Sequence, residues 1–273
     1  MSSDPQAFIK KDMLDSHFHL LEMKKKGIDI KSHLRLCKDM QIFALFDMGI
    51  TCDDLLERIP YHQENLPLYF AAGIYPSYVE EINETDKIDN KVKKLHQTIA
   101  SAPIKVKAIG EIGIELFHPI GKLELQLYLL EKQINLANEL ELPVAIHNRN
   151  ADSEILELLK KHPVKKGGVI HCFSSNKKNA YDFIDNGFKI SFAGNITYKN
   201  NNELQDTIKK IPLSCILTET DSPYLTPQPL RKYPNSPLYI GHTYDIIAQL
   251  RNQKIEPLIQ IIKENFTTLF LSS

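Results

Sequence analysis

Short apolar runs alternate along the chain with longer stretches in which apolar residues recur every three or four positions. The short runs are Met13–Ser16, Ile42–Met48, Leu68–Gly73, Val106–Glu111, Val144–His147, Val169–Phe173, Lys189–Phe192 and Ile216–Thr220. They are rich in Ile, Val, Phe and Leu and lack strict polar alternation, the pattern of strands covered on both faces. The clearest helical pattern is Leu123–Leu140, where Leu125, Leu129, Ala137 and Leu140 share one face. Ala151–Lys161, Lys177–Asn186 and Glu203–Lys210 follow it, and Pro163 and Gly187 stand where helices stop. Strands that alternate with helices require right-handed crossovers and a parallel sheet. The eight runs predict an α/β fold, a closed (β/α)8 TIM barrel, as a single domain over residues 1–273. An open doubly wound sheet is the competitor, but neither G-x-G-x-x-G nor a P-loop accompanies it. A proline-rich loop from Pro223 to Pro237 precedes two further runs, about Leu238–Arg251 and Glu256–Leu271, predicted as additional C-terminal helices.

Composition narrows the class. The 273 residues are 42% hydrophobic and 25% charged, which excludes a disordered or fibrous chain. Lys and Arg total 33 against 34 Asp and Glu, so the chain is no basic nucleic-acid coat, although a local basic patch is compatible. No stretch approaches the ~18 apolar residues of a membrane span, and the opening MSSDPQAFIKKDM lacks the apolar core of a signal peptide. Cys37, Cys52, Cys172 and Cys215 form no C-x-x-C pair and read as small hydrophobes in a reducing compartment. These features predict a cytoplasmic monomer without a membrane or a stable protein partner.

The chemistry is expected where apolar runs end. His17 and His19 close the first run, and a period of two puts both imidazoles on one face. Glu111 ends the fourth run, His147 the fifth, His171 the sixth and Asp221 the eighth. In a barrel all these ends open on one mouth, where sites lie. Each residue alone reads as an ordinary capped or solvated loop group. Six nitrogen and oxygen donors from five strands read together as a metal site, with more donors than one tetrahedral ion needs. Two divalent ions bridged by Glu111 are the expected solution. His17, His19 and Asp221 would complete one, and His147 and His171 the other. Water held between the ions would be the nucleophile, with Asp221 as general base and Glu111 as the second catalytic group. Glu219 either supports a ligand from behind or fills a barrel layer. Cys172, next to His171, is read as packing.

These residues resemble the TatD family of metal-dependent deoxyribonucleases, of the amidohydrolase-like barrels. The resemblance lies in Asp15-Ser16-His17-Phe18-His19, Ile109-Gly110-Glu111-Ile112-Gly113, Pro143-Val144-Ala145-Ile146-His147-Asn148-Arg149, Ile170-His171-Cys172-Phe173-Ser174, Gly194-Asn195-Ile196-Thr197 and Glu219-Thr220-Asp221-Ser222-Pro223-Tyr224-Leu225. It implies the ligand set above, magnesium, manganese or zinc as the ions, and hydrolysis of phosphodiester bonds in DNA. The chain departs from the family pattern at Tyr75, where Gly-x-His-Pro is usual, at Ile114-Glu115 in place of Leu-Asp, and at Thr268 in place of Arg. A phenol at 75 can still donate one hydrogen bond to a phosphate but carries no positive charge at neutral pH.

Arg149 either grips a phosphate or makes a surface ion pair, and Asn195 and Tyr224 are similar substrate-binding candidates. Lys24–Lys26 is expected to be a solvated face. Arg231 and Lys232, in the proline-rich loop, are expected to steer phosphates, with Tyr233 beside them for stacking. The alternative is a metal-dependent ester or amide hydrolase of the same superfamily, acting on an acylated tRNA or a small cyclic amide. A non-enzymatic metal or nucleic-acid binding protein would have no need of Asp221 as a base.

Overall fold

A computed structural model of the chain describes residues 9–81, 84–118 and 120–272. Residues 1–8, on which part of the reading of the amino terminus rests, lie outside them. Eight parallel strands run in the order β1 to β8: β1 Leu14–Phe18, β2 Ala44–Asp47, β3 Leu68–Ala72, β4 Ala108–Glu115, β5 Val144–Arg149, β6 Gly168–Ile170, β7 Phe188–Phe192 and β8 Ile216–Thr218. The predicted TIM barrel is therefore observed, and the open sheet is excluded. The ring closes between first and last strands at one bridge, Phe18 to Ser222. The amide of Asp221 donates to the His17 carbonyl at 2.9 Å, and that of His19 to the Ser222 carbonyl at 2.8 Å. The barrel is thus sealed by the backbone of residues expected at the site.

The outer layer comprises α1 Leu20–Lys25, α2 Ile30–Asp39, α3 Leu55–Arg58, α4 Thr85–Ser101, α5 Leu123–Glu139, α6 Asp152–Lys161, α7 Lys177–Asp185, α8 Asn202–Lys210, α9 Ile240–Leu250 and α10 Ile255–Phe266, the last continued by a π-helical turn over Thr267–Leu271. The predicted carboxy-terminal helices are α9 and α10. The sequence pattern did not single out α1 to α4, yet the rule that forms them is the same. Ile30, Leu34 and Cys37 bury one stripe of α2, whose start is capped by the Asp29 carboxylate accepting from the Ser32 amide. The strands bury both faces, as their near-continuous apolar runs require. No described helix is long and apolar enough to cross a membrane.

Strand ends depart from expectation where side chains replace ladder bonds. β4 runs four residues past Glu111, because Ile112 to Glu115 pair with Ile146 to Arg149 after a register shift. Glu111 is therefore inside its strand. β6 stops at Ile170, short of His171, since the Cys172 amide donates to the Glu219 carboxylate at 2.7 Å. β8 stops at Thr218 because Asp15 takes the Thr220 amide and hydroxyl.

Candidate metal centre

Four imidazoles surround one carboxylate at the carboxyl end of the barrel. His17 and His19 face each other with Nε2 atoms 3.1 Å apart. Glu111 reaches them with Oε2, at 3.5 Å from His17 and 3.3 Å from His19. Its other oxygen, Oε1, lies 2.9 Å from His147 Nδ1 and 2.8 Å from His171 Nε2. Asp221 Oδ1 approaches His19 at 3.5 Å and His17 at 3.8 Å. The described residues thus contain three overlapping groups with metal-ligating geometry: His17, His19 and Asp221; Glu111, His147 and His171; and His17, His171 and Glu219. In each group the donor atoms lie within 4.8 Å of one another.

Two glycines allow this closeness. A Cβ on Gly113, whose φ is +152°, would stand 2.0 Å from the His147 carbonyl oxygen. A Cβ on Gly110 would stand 2.7 Å from Ala145 Cβ. Any larger residue would wedge β4 from β5 and part Glu111 from His147.

The cluster is buried and strongly coupled. Burial opposes ionisation of Glu111, but His171, His147 and His17 outweigh it and hold the carboxyl well below its ordinary range. Burial likewise opposes charge on His171, and Glu111 and Glu219 overcome it, so that imidazole sits well above its usual value. His19 follows the same logic, pushed up to about 10 by Asp221 and Glu111 against burial. His17 moves the other way, since burial and then the neighbouring His171 disfavour its charge.

Behind the donors lies a supporting layer. His171 Nδ1 is 3.3 Å from Glu219 Oε1, so Glu219, fully buried, stands behind His171. His147 Nε2 is 3.1 Å from the Tyr75 hydroxyl and 3.4 Å from Glu115 Oε2. Glu115 also accepts the backbone amides of Phe117 and His118. Asp15 accepts from the amides of His17 and Thr220; burial raises its carboxyl to about 8 despite these bonds. Asp47, at the end of β2, accepts the Leu20 amide at 2.8 Å and pairs with the buried Arg58 at 3.0 Å.

The donors open into a cavity of about 330 Å³ lined by His19, Glu22, Ile50, Tyr75, Glu111, His147, His171, Asp221 and Tyr224. Tyr224 donates its hydroxyl to Glu22 at 3.2 Å. Arg149 and Asn195 do not line it. Arg149 is the last residue of β5, and its guanidinium lies 4.9 Å above the Phe117 ring. Asn195 occupies a 3₁₀ turn after β7, and its buried Oδ1 has no hydrogen-bond partner. Arg231 stacks 4.3 Å over Tyr198. Lys24–Lys26 is exposed, as a solvated face is, and Lys24 and Lys25 also line an adjacent cleft of about 470 Å³ that shares His19, Glu22 and Ile50 with the cavity. Cys172 lies beyond β6 and joins none of the ligating groups among the described residues.

Sequence reasoning assigned no role to Asp15, Glu22, Asp47 or Arg58. Asp47 carries the signal used for the others, an acid directly after the apolar Ala44-Leu45-Phe46. Glu22 has no such signal, because it sits on a helix the pattern did not predict.

The family model described as TatD related DNase matches residues 14–271. The metal-dependent hydrolase YjjV of Escherichia coli is 34% identical over 204 residues, 75% of this chain and 77% of that protein. The metal-dependent hydrolase YabD of Bacillus subtilis is 30% identical over 259 residues, 94% of this chain and 98% of that protein. Both are described as uncharacterized. The crystal structure of the Escherichia coli TatD homolog YjjV superposes with a TM-score of 0.86 at 28% identity, covering 96% of this chain and 99% of that one.

Proposed function

We propose that this chain, which belongs to the TatD family of metal-dependent hydrolases, is a deoxyribonuclease that cleaves phosphodiester bonds at a two-ion centre. The observation that carries the two-ion reading is the division of labour at Glu111: one carboxylate turns each oxygen to a different imidazole pair. So placed, Glu111 would be the residue to hold both ions. Imidazole nitrogens and carboxylate oxygens, with no thiolate among them, suit magnesium, manganese or zinc. His17, His19 and Asp221 would hold one ion, His147 and His171 the other. Such ions supply Lewis acidity toward a phosphoryl oxygen and make water a nucleophile near neutral pH.

The protein's own groups do the rest. Asp221 accepts the proton of the attacking water. His171 turns Nε2 inward, so its Nδ1–H donates to Glu219 and fixes the tautomer. His147 turns Nδ1 inward, so its Nε2–H donates outward to Glu115 and the Tyr75 oxygen. The phenolic hydrogen of Tyr75 is then free to donate to a substrate oxygen. Burial, then Glu111 and Glu115, raise the Tyr75 phenol far above its ordinary value, so it acts as a neutral donor. DNA as the substrate is supported by the description of the family whose model spans nearly the whole chain.

A neutral donor at position 75 favours a second reading, an ester or amide hydrolase such as one acting on acylated tRNA or a cyclic amide, where no extra phosphate charge needs a partner. The deciding experiment incubates the purified chain with single- and double-stranded DNA and with a panel of esters, lactones and cyclic amides, in magnesium, manganese or zinc. DNA cleavage that disappears in Asp221→Ala is the expected result. Cleavage no greater than that of the variant, with turnover of an ester or amide, would refute the nuclease and establish the alternative.

A further inference from the structure

An aromatic ring exposed beside an active site offers a π face on which a base can stack. Phe117 is 58% exposed, two residues past Glu115 in the loop after β4. Its position is held firmly: Glu115 Oε1 accepts the Phe117 amide at 2.6 Å and the His118 amide at 3.0 Å, while Oε2 of the same carboxylate faces His147 at 3.4 Å. The ring is thus anchored one residue away from a metal-ligand candidate. Arg149, two residues past His147 on the neighbouring strand, lies over the ring at 4.9 Å, and His118 meets it edge-on at 4.9 Å. No carboxylate among the described residues pairs with Arg149, so its charge is available to an anion. An exposed ring covered on one face by a guanidinium that no carboxylate among the described residues pairs matches the two halves of a nucleotide, a planar base for the ring and a phosphate for the charge.

We propose that Phe117 and Arg149 form a nucleotide subsite on the rim of the metal centre, Phe117 stacking the base next to the scissile phosphate and Arg149 binding an adjacent phosphate. The inference rests on the nuclease reading and adds to it where the strand lies. It places the polymer over the loops after β4 and β5, and it gives the enzyme affinity for bases without a preference among them, since every base has a π face.

The test uses the metal-loaded full chain and a single-stranded oligothymidylate, compared with the same oligonucleotide carrying tetrahydrofuran abasic units. Phe117→Ala is expected to raise KM for oligothymidylate by between about 5-fold and about 150-fold, the loss of one base–aromatic stack, with kcat unchanged. It is expected to leave KM for the abasic strand unchanged, and Phe117→Trp to restore the wild-type KM. Arg149→Gln is expected to weaken both substrates and to reduce the salt slope by about 1. Equal losses on both substrates in Phe117→Ala, or no loss on either, would overturn the subsite while leaving DNA hydrolysis intact. Failure of the wild type to cleave either oligonucleotide would remove the nuclease reading and the subsite together.

Discussion

Arg58→Leu tests how the first loop of the mouth is held. The Arg58 side chain is fully buried and makes a hydrogen bond to Asp47 at 3.0 Å, to Asp54 at 2.9 Å and to the Ala71 carbonyl at 2.9 Å. Leucine there leaves Asp47 buried without its cation, so at neutral pH the folded chain must either hold an unpaired charge or take up a proton, at an expected cost of about 3–5 kcal/mol. With a urea slope of about 3 kcal/mol/M, the unfolding midpoint of the metal-free protein should fall by roughly 1–1.7 M. The loss should also depend on pH. Burial is the main influence on Asp47 and holds its carboxyl above the ordinary value even opposite Arg58. Without the guanidinium that value rises further. In the window between the unfolded and folded values the unfolded chain is ionised and the folded one protonated, so stability falls by about 1.4 kcal/mol per unit of rising pH. The gap to wild type should therefore narrow as pH is lowered from neutrality towards the unfolded aspartate value, about 4. Asp47→Asn in the Arg58→Leu background removes the stranded charge but keeps an oxygen for the Leu20 amide, so it should recover stability and abolish the pH dependence. Urea titrations in chelator at several pH values read all of this. A gap under about 1 kcal/mol, a gap indifferent to pH, or a double variant weaker than the single one would refute the reasoning.

Other side chains give shorter tests. Glu219→Gln should weaken metal binding by about 10–100-fold, by loosening His171, with activity rescued by excess metal; unchanged affinity by calorimetry would return Glu219 to the role of barrel filler. Gly113→Ala should destabilise the fold by about 1–3 kcal/mol and lower metal affinity, because its Cβ meets the His147 carbonyl; wild-type melting and metal content would refute it. Tyr75→His should raise kcat/KM on DNA by up to about tenfold, a charge-assisted bond replacing a neutral one. An unchanged or lower rate would mean that Tyr75 suits another substrate.

The barrel was legible because strand-to-helix alternation has few topological solutions. The donors were legible because a histidine or an acid directly after a buried run breaks the apolar pattern visibly, as in Val144-Ala145-Ile146-His147. Strand ends were not. Whether β6 stops before His171 depends on Glu219, 47 residues away along the chain of bonds from Cys172, taking an amide that the ladder would otherwise use. The placing of Arg149 was not legible for a similar reason. Phe117, in the loop after β4, holds the guanidinium over its ring at 4.9 Å, beyond the lining of the cavity. The buried Arg58 is the clearest case, since an arginine at the end of a four-residue helix reads as surface until the third dimension sets it between Asp47 and Asp54.

The charges of the cavity separate a cation site from an ordinary buried ion-pair network. Its lining includes Glu22, Glu111 and Asp221 but no lysine or arginine. A structural network buries carboxylates beside guanidinium groups, as Asp47 and Arg58 do only a short distance away. In the metal centre the counter-charge of the metal-free protein must instead come from imidazoles, which explains why His19 and His171 are driven toward the protonated form. Protons on these two imidazoles therefore stand where cations would, and each of the two must give one up before its inward nitrogen can bind an ion, whereas His17 is already held toward the neutral form. A chain selected for stability alone could replace such a cluster with apolar side chains at little cost and often with a gain. Keeping four imidazoles around one carboxylate is intelligible as the requirement of a site that exchanges protons for divalent ions.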